Sequence, residues 1–153
     1  MVASRVRHIG FVVRDLEKSL KFYCGILGLT IYKREIEEGE YIENLVGIKS
    51  VRLEWVKLNV PEGGLIELLS YGSHPDPEVL KKPEKIPSNR LGSGHIALTV
   101  TNLNKLYKEL IKNGISCNSE PLIAPNGKAK ILYCHDPDGI ILELIEDLLN
   151  QHE

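Results

Sequence analysis

The chain has 153 residues, 42% hydrophobic and 26% charged, the balance of a soluble globular protein long enough to bury its own core. Nineteen Lys and Arg against twenty-one Asp and Glu leave a net charge of −2, which offers no basic footprint for nucleic acid or for anionic lipid. No apolar run approaches the roughly 20 residues of a membrane span, and no signal-peptide pattern opens the chain. Cys24, Cys117 and Cys134 are odd in number, widely spaced and without a Cys-x-x-Cys pair, the usage expected in a reducing cytoplasm.

In chain order, residues 5–13 read as a strand rich in Val and Ile. Asp15 is placed as the N-cap of a helix whose apolar face repeats through Leu16, Leu20, Tyr23 and Leu27, and Gly25 and Gly28 end it. Strands follow near 29–37, 51–60 and 65–70, while 41–48 reads equally as a short helix or a strand. Pro75, Pro77, Pro83 and Pro87 mark 72–90 as a connecting segment without regular structure. Its Lys81-Lys82-Pro83-Glu84-Lys85 stretch is a solvated loop or a lid. A strand at 94–100, an Asn102 cap, a helix over 103–113 and a Gly114 stop come next. Strands near 115–120, 129–135 and 140–146 complete the chain, with a tight turn at Asp136-Pro137-Asp138-Gly139.

These elements repeat. Residues 8–27 align without gaps on 95–114 at an offset of 87, and 64–69 resemble 140–145 at an offset of 76. The reading is one domain, 1–153, built of two βαβββ modules at 5–70 and 92–147, an α+β fold. The difference between the offsets makes the first module longer by about eleven residues, and the Pro-rich segment is the expected place for them.

Four polar residues stand where apolar ones belong. The runs 65–69 and 140–145 are near-continuous apolar strands that each contain one acid, Glu67 and Glu143. His8 and His95 sit at corresponding places in the first strand of each module. Singly, such a histidine is a hydrogen-bonded core or surface residue, and either acid is an edge-strand carboxylate paired with Arg5, Arg7 or Arg52. Jointly, two His and two Glu converge on one site if a pseudo-twofold axis relates the modules. Imidazole nitrogen and carboxylate oxygen suit a divalent metal ion such as Zn, Ni, Co, Mn or Fe. His74 and His152 read as solvated, and His135 as a residue that can line the cup. Trp55, Tyr41, Tyr71 and Tyr133 are the aromatic side chains available for its walls, and Cys134 beside His135 is a weak nucleophile candidate.

The runs His8-Ile-Gly-Phe-Val-Val-x-Asp-Leu-Glu-Lys-Ser-Leu-x-Phe-Tyr, Gly94-His95-Ile-Ala-Leu-Thr-Val and Asp136-Pro137-Asp138-Gly139-x-x-x-Glu143-Leu resemble the vicinal oxygen chelate superfamily. That group takes in glyoxalase I, methylmalonyl-CoA epimerase, extradiol dioxygenases and the fosfomycin and bleomycin resistance proteins. The resemblance implies paired modules whose sheets cup a metal, often in a homodimer, with His8, Glu67, His95 and Glu143 as ligands. Of the subfamilies, the His/Glu/His/Glu set is similar to glyoxalase I, although Val12 stands where bacterial glyoxalases carry an Arg for glutathione. Epimerases usually offer Gln at the position of Glu67, and extradiol dioxygenases use three ligands.

The implied activity is that of a metal-dependent lyase or isomerase of glyoxalase I type. Its substrate is a small carbonyl compound or thioester, and an enolate or enediolate is held on the metal during proton transfer. Glu143 and Glu67 are the catalytic carboxylates, Glu143 as ligand and base and Glu67 as its partner. The alternatives are an epimerase of the methylmalonyl-CoA kind, a ring-cleaving dioxygenase, and a metal-independent drug-binding protein.

Overall fold

The computed structural model describes residues 3–77 and 85–148. They form two compact units, with the boundary between residues 82 and 83. His152, Pro83 and most of the Lys81–Lys85 stretch lie outside the described residues. None of the described helices is long and apolar enough to cross a membrane.

The first unit runs β1 (Ile9–Val12), α1 (Leu16–Leu20), a π-helical turn (Lys21–Ile26), β2 (Thr30–Glu38), α2 (Glu40–Val46), β3 (Arg52–Val60) and β4 (Gly64–Ser70). Its sheet has the order β1-β4-β3-β2, parallel between β1 and β4 and antiparallel elsewhere, so the last strand is inserted between the first and the third. Asp15 caps α1 through Lys18 N–H at 3.1 Å. Gly28, at φ 77°, turns the chain out of the helix and Leu29 N–H closes on the Tyr23 carbonyl. One sheet face is dry: Val56, Leu58, Ile66 and Leu68 are fully buried, as are the helical Phe22 and Tyr23. Tyr23 stacks on Phe11 of β1, which ties helix to sheet. The alternation of the strands puts Gly10, Glu67, Lys57 and Lys33 in one cross-strand row on the opposite face, with Val12, Leu69, Trp55 and Glu35 in the next.

The second unit runs β5 (His95–Thr99), α3 (Leu103–Lys112), β6 (Leu122–Ile123), β7 (Ala129–His135) and β8 (Ile141–Asp147). Its order β5-β8-β7-β6 reproduces the first, again parallel only between first and last strands. Leu103 and Leu110 of α3 are buried, as are Leu132, Cys134, Leu142 and Leu144 of the sheet. Asn102 caps α3 as expected, its side chain accepting from Lys105 N–H at 3.2 Å. A second acceptor was not foreseen. The buried Glu146 carboxylate takes the Asn102 and Leu103 N–H groups at 2.9 and 3.2 Å and Lys130 Nζ at 3.4 Å, which fixes the helix start to β8.

Three expectations are corrected and one open reading is resolved. The first strand begins at Ile9 rather than residue 5, because Ile9 pairs with Ile66 and β4 starts only two residues earlier, at Gly64. Residues 5–7 therefore have almost no partner strand, and His8 precedes β1 instead of lying within it. Residues 115–120 do not form a strand: Cys117 makes one bridge to Cys134, and pairing resumes only at Leu122 with Ile131. Pro121, which lacks an N–H for the ladder, falls in the bulged stretch between them. The ambiguous 41–48 segment is helix α2, whose Ile42 packs with Val51, Leu53 and Trp55 and which ends at Gly47 with φ 74°. Its position also accounts for the extra length of the first module. The excess lies between His8 and Glu67, where α2 joins β2 to β3, whereas the equivalent β6–β7 link is only residues 124–128. The 72–90 segment follows Glu67 and does not contribute to that spacing.

Two predictions follow from this packing. Glu146→Ala leaves two N–H groups at a helix start without their acceptor and is expected to cost about 1–3 kcal/mol in urea unfolding, with Glu146→Gln costing less. Cys134 is fully buried, and burial, reinforced by the neighbouring Cys117 and Asp136, pushes its thiol up to about 12. Iodoacetamide at pH 7.5 is expected to modify Cys134 only after unfolding, as read by peptide mass mapping.

Candidate metal centre

Each unit carries a His–Glu pair built by the same register. In the first, Gly10 lies opposite Glu67 across the parallel β1–β4 pair, and His8, two residues before Gly10, reaches the same row. His8 Nε2 stands 3.1 Å from Glu67 Oε2. A Cβ at Gly10 would press on Leu69 Cδ1 at 3.1 Å, with Glu67 Oε2 at an ordinary 3.8 Å. In the second unit Ala97 lies opposite Glu143, and His95 Nε2 stands 3.2 Å from Glu143 Oε2. The same two atoms meet at almost the same distance in both modules.

The carboxylates are the less accessible members. Glu67 and Glu143 side chains are 12% and 19% exposed, against 36% and 45% for His8 and His95. A carboxylate that far from water needs partners on both oxygens. For Glu67 the antiparallel neighbour supplies the second one. Lys57, directly across β3 from Glu67, brings Nζ to 3.3 Å of Oε1. Tyr133, directly across β7 from Glu143, places its hydroxyl 3.4 Å from His95 Nε2. Partial burial and the charge of Glu143 push the Tyr133 phenol above the ordinary tyrosine range, so at neutral pH it is a protonated hydrogen-bond donor. Lys57 in turn lies over the indole of Trp55, Nζ 4.4 Å from the ring centroid, while Trp55 Nε1 donates to Glu37 at 3.0 Å.

The structure thus brings His8 to Glu67 and His95 to Glu143. Among the described residues no group of three or more His, Cys, Asp or Glu is gathered where it could hold a metal ion. His135 does not line an open surface: it is buried, its ring held between the Gly139 carbonyl at 3.2 Å and Asn118 Oδ1 at 2.9 Å, and it braces the Asp136–Gly139 turn. Of the aromatic candidates, Trp55 and Tyr133 flank the His–Glu pairs, Tyr71 packs on the α2 core and Tyr41 is exposed. Lys57 was missed. The signal lay in the repeat, since Lys57 and Tyr133 are separated by the same 76 residues as Glu67 and Glu143.

Each His–Glu pair offers the donor types of two ligands of a divalent ion, at a separation that a plain hydrogen-bonded pair also has. Two ligand atoms about 2.1 Å from one ion, at angles between roughly 90° and 110°, lie about 3.0–3.4 Å apart. The Nε2–Oε2 separations of 3.1 and 3.2 Å fall inside that range.

Comparison with known proteins agrees with the fold. A protein of Bacillus subtilis, YwkD, whose function is uncharacterized, is 32% identical over 95% of this chain and 99% of its own length. A probable lactoylglutathione lyase of Synechocystis is 28% identical, covering 91% of this chain and 92% of the relative. The crystal structure of a glyoxalase family protein from Bacillus cereus matches with a TM-score of 0.83 at 24% identity, over 97% of this chain and 99% of that one. The family model described as Glyoxalase/Bleomycin resistance protein/Dioxygenase superfamily matches residues 5–144, and with two βαβββ sheets of matching strand order the chain belongs to that superfamily.

Proposed function

We propose that His8 with Glu67 and His95 with Glu143 are ligands of a divalent metal ion, and that the protein is a lyase or isomerase of glyoxalase I type acting beside a carbonyl. The observation that carries this reading is the pair of Nε2–Oε2 distances, 3.1 and 3.2 Å, repeated in equivalent modules. The lactoylglutathione lyase similarity supports the reaction class. When bound, the ion supplies Lewis acidity to a carbonyl oxygen.

The chain supplies the proton chemistry. Glu143 takes the proton from the carbon beside the carbonyl and returns it to the neighbouring carbon, a step that leaves the overall composition of the substrate unchanged. Its surroundings suit that role: the cross-strand neighbour is a neutral phenol, Tyr133, placed to donate a hydrogen bond and not to neutralise the carboxylate. Glu67, held at Oε1 by the Lys57 ammonium, is the more firmly anchored of the two and serves as its partner. Val12, in place of a cation near the first histidine, argues for a substrate other than a glutathione adduct held as in bacterial glyoxalases.

Elemental analysis of protein purified without chelator or affinity tag is expected to show about one Ni, Co, Zn or Mn per chain. Protein that is metal-free and takes up no added divalent ion overturns the reading, and stoichiometric iron with oxygen uptake replaces it by a dioxygenase. Glu143→Gln is expected to weaken divalent-ion binding by about 10- to 100-fold in calorimetry and to abolish proton exchange into substrate. Glu67→Gln is expected to retain more metal than activity, and full turnover by that variant removes Glu67 from the proton chemistry.

A further inference from the structure

The two modules share strand order and register, but they differ at one cross-strand pair. In the first, Ile31 of β2 lies opposite Leu58 of β3, and Leu58 is fully buried. Leu58 and Cys134 are separated by the same 76 residues as Glu67 and Glu143, so Cys134 holds the place of Leu58. Its partner across the sheet is Cys117. Two of the three cysteines of the chain thus stand face to face where the first module has an apolar pair.

The hydrogen bonds around the pair fix its geometry. Asn118 N–H donates to the Tyr133 carbonyl at 2.9 Å, and His135 N–H donates to the Ser116 carbonyl at 2.8 Å. These bonds lie on either side of Cys117 and Cys134 and make them a non-hydrogen-bonded pair of the antiparallel bridge. In such a pair the Cα atoms are about 4.5 Å apart and the side chains leave the same face. A disulfide takes Cα separations of roughly 4.4–6.8 Å, so the backbone spacing already suits one. Access orders the two sulfurs. Cys134 is fully buried, whereas Cys117 is partly exposed. Burial pushes both thiols up, and the Lys85 ammonium offsets part of this at Cys117. A reagent therefore meets Cys117 first, with Cys134 placed behind it to displace that reagent.

We propose that Cys117 and Cys134 form a reversible disulfide, a redox-responsive staple within the second unit, whose oxidant is a low-molecular-weight disulfide such as glutathione disulfide. The Cys117 thiolate attacks one sulfur of that reagent, forms a mixed disulfide and releases one thiol. Cys134 then attacks the Cys117 sulfur and releases the second. Two protein thiols are oxidised, the reagent is reduced to two thiols, and the two protons that the cysteines lose end on the released sulfurs. Strand alternation points Cys134 to the opposite face of β7 from Tyr133. The bond therefore fixes the bridge at 116–118, whose Asn118 Oδ1 holds the His135 ring at 2.9 Å, and does not enter the Tyr133–Glu143 row.

The reduced intact chain is incubated with glutathione disulfide at mildly alkaline pH, then mapped by peptide mass without reduction and followed by amide hydrogen exchange. One peptide pair joining Cys117 to Cys134 is expected, two hydrogens lighter than the separate peptides and split by dithiothreitol. Its formation speeds up as pH rises, because the thiolate is the attacking species. The Asn118 and His135 amides are expected to exchange about tenfold more slowly than in the reduced chain. Cys24→Ser forms the same link, and adding Cys134→Ser to it stops the reaction at a single glutathione on Cys117. Circular dichroism checks that these variants are folded, and the mapping of the parent chain needs no variant. A parent that keeps glutathione on Cys117 without the link, joins either cysteine to Cys24, or links Cys117 to Cys134 only in urea overturns the proposal. Unslowed exchange at Asn118 and His135 in the linked chain overturns it as well, since the bond then does not fit the native bridge.

Discussion

A carboxylate on an interior strand of a sheet has neighbours on both sides and little water above it, and the arrangement of Glu67 and Glu143 depends on answering that demand. The strand order provides the answer. Each module inserts its last strand between the first and the third, so β4 and β8 meet a parallel strand on one side and an antiparallel one on the other. The parallel neighbour brings an imidazole and the antiparallel neighbour a lysine or a tyrosine. The residue opposite each acid on the parallel strand is Gly10 or Ala97, and the histidine two residues earlier reaches the carboxylate.

That common frame supports an unequal chemistry. The first carboxylate lies between an imidazole and an ammonium seated on an indole, the second beside an imidazole and a neutral phenol. The row next to Glu67 carries Trp55 from β3 and Glu35 from β2, whereas β7 and β6 offer Ile131 and Leu122 at comparable places. The two carboxylates therefore differ in charge environment, the first beside an ammonium and the second beside a phenol, within the same strand order.

The parts of the fold that were legible share a physical origin in local pattern. Asp15 and Asn102 cap their helices because short side-chain acceptors reach N–H groups three residues on. The apolar runs of β4 and β8 are legible because burial on two faces leaves little room for alternation. Elements whose extent depends on a partner were not legible. Whether residues 5–8 are strand depends on where β4 begins, and whether 115–120 is strand depends on the room that Pro121 leaves against β7. The identity of α2 depended on the small core formed by Val51, Leu53 and Trp55, which is absent from a window over 41–48.

For the site, the duplication by itself determined which residues to consider: His8 and His95, Glu67 and Glu143 stand out because a polar side chain recurs at equivalent places in otherwise apolar strands. Periodicity could identify them but could not say which lateral neighbours they meet, because cross-strand partners are distant in sequence and are set by register. Only the tertiary structure paired each Nε2 with an Oε2, placed Lys57 and Tyr133 across from the acids, turned His135 into a brace for its turn and assigned Glu146 to the start of α3. The reason is the same in every case: a strand residue's chemistry is completed by the strand beside it, and which strand that is follows from the order in which the chain closes its sheet.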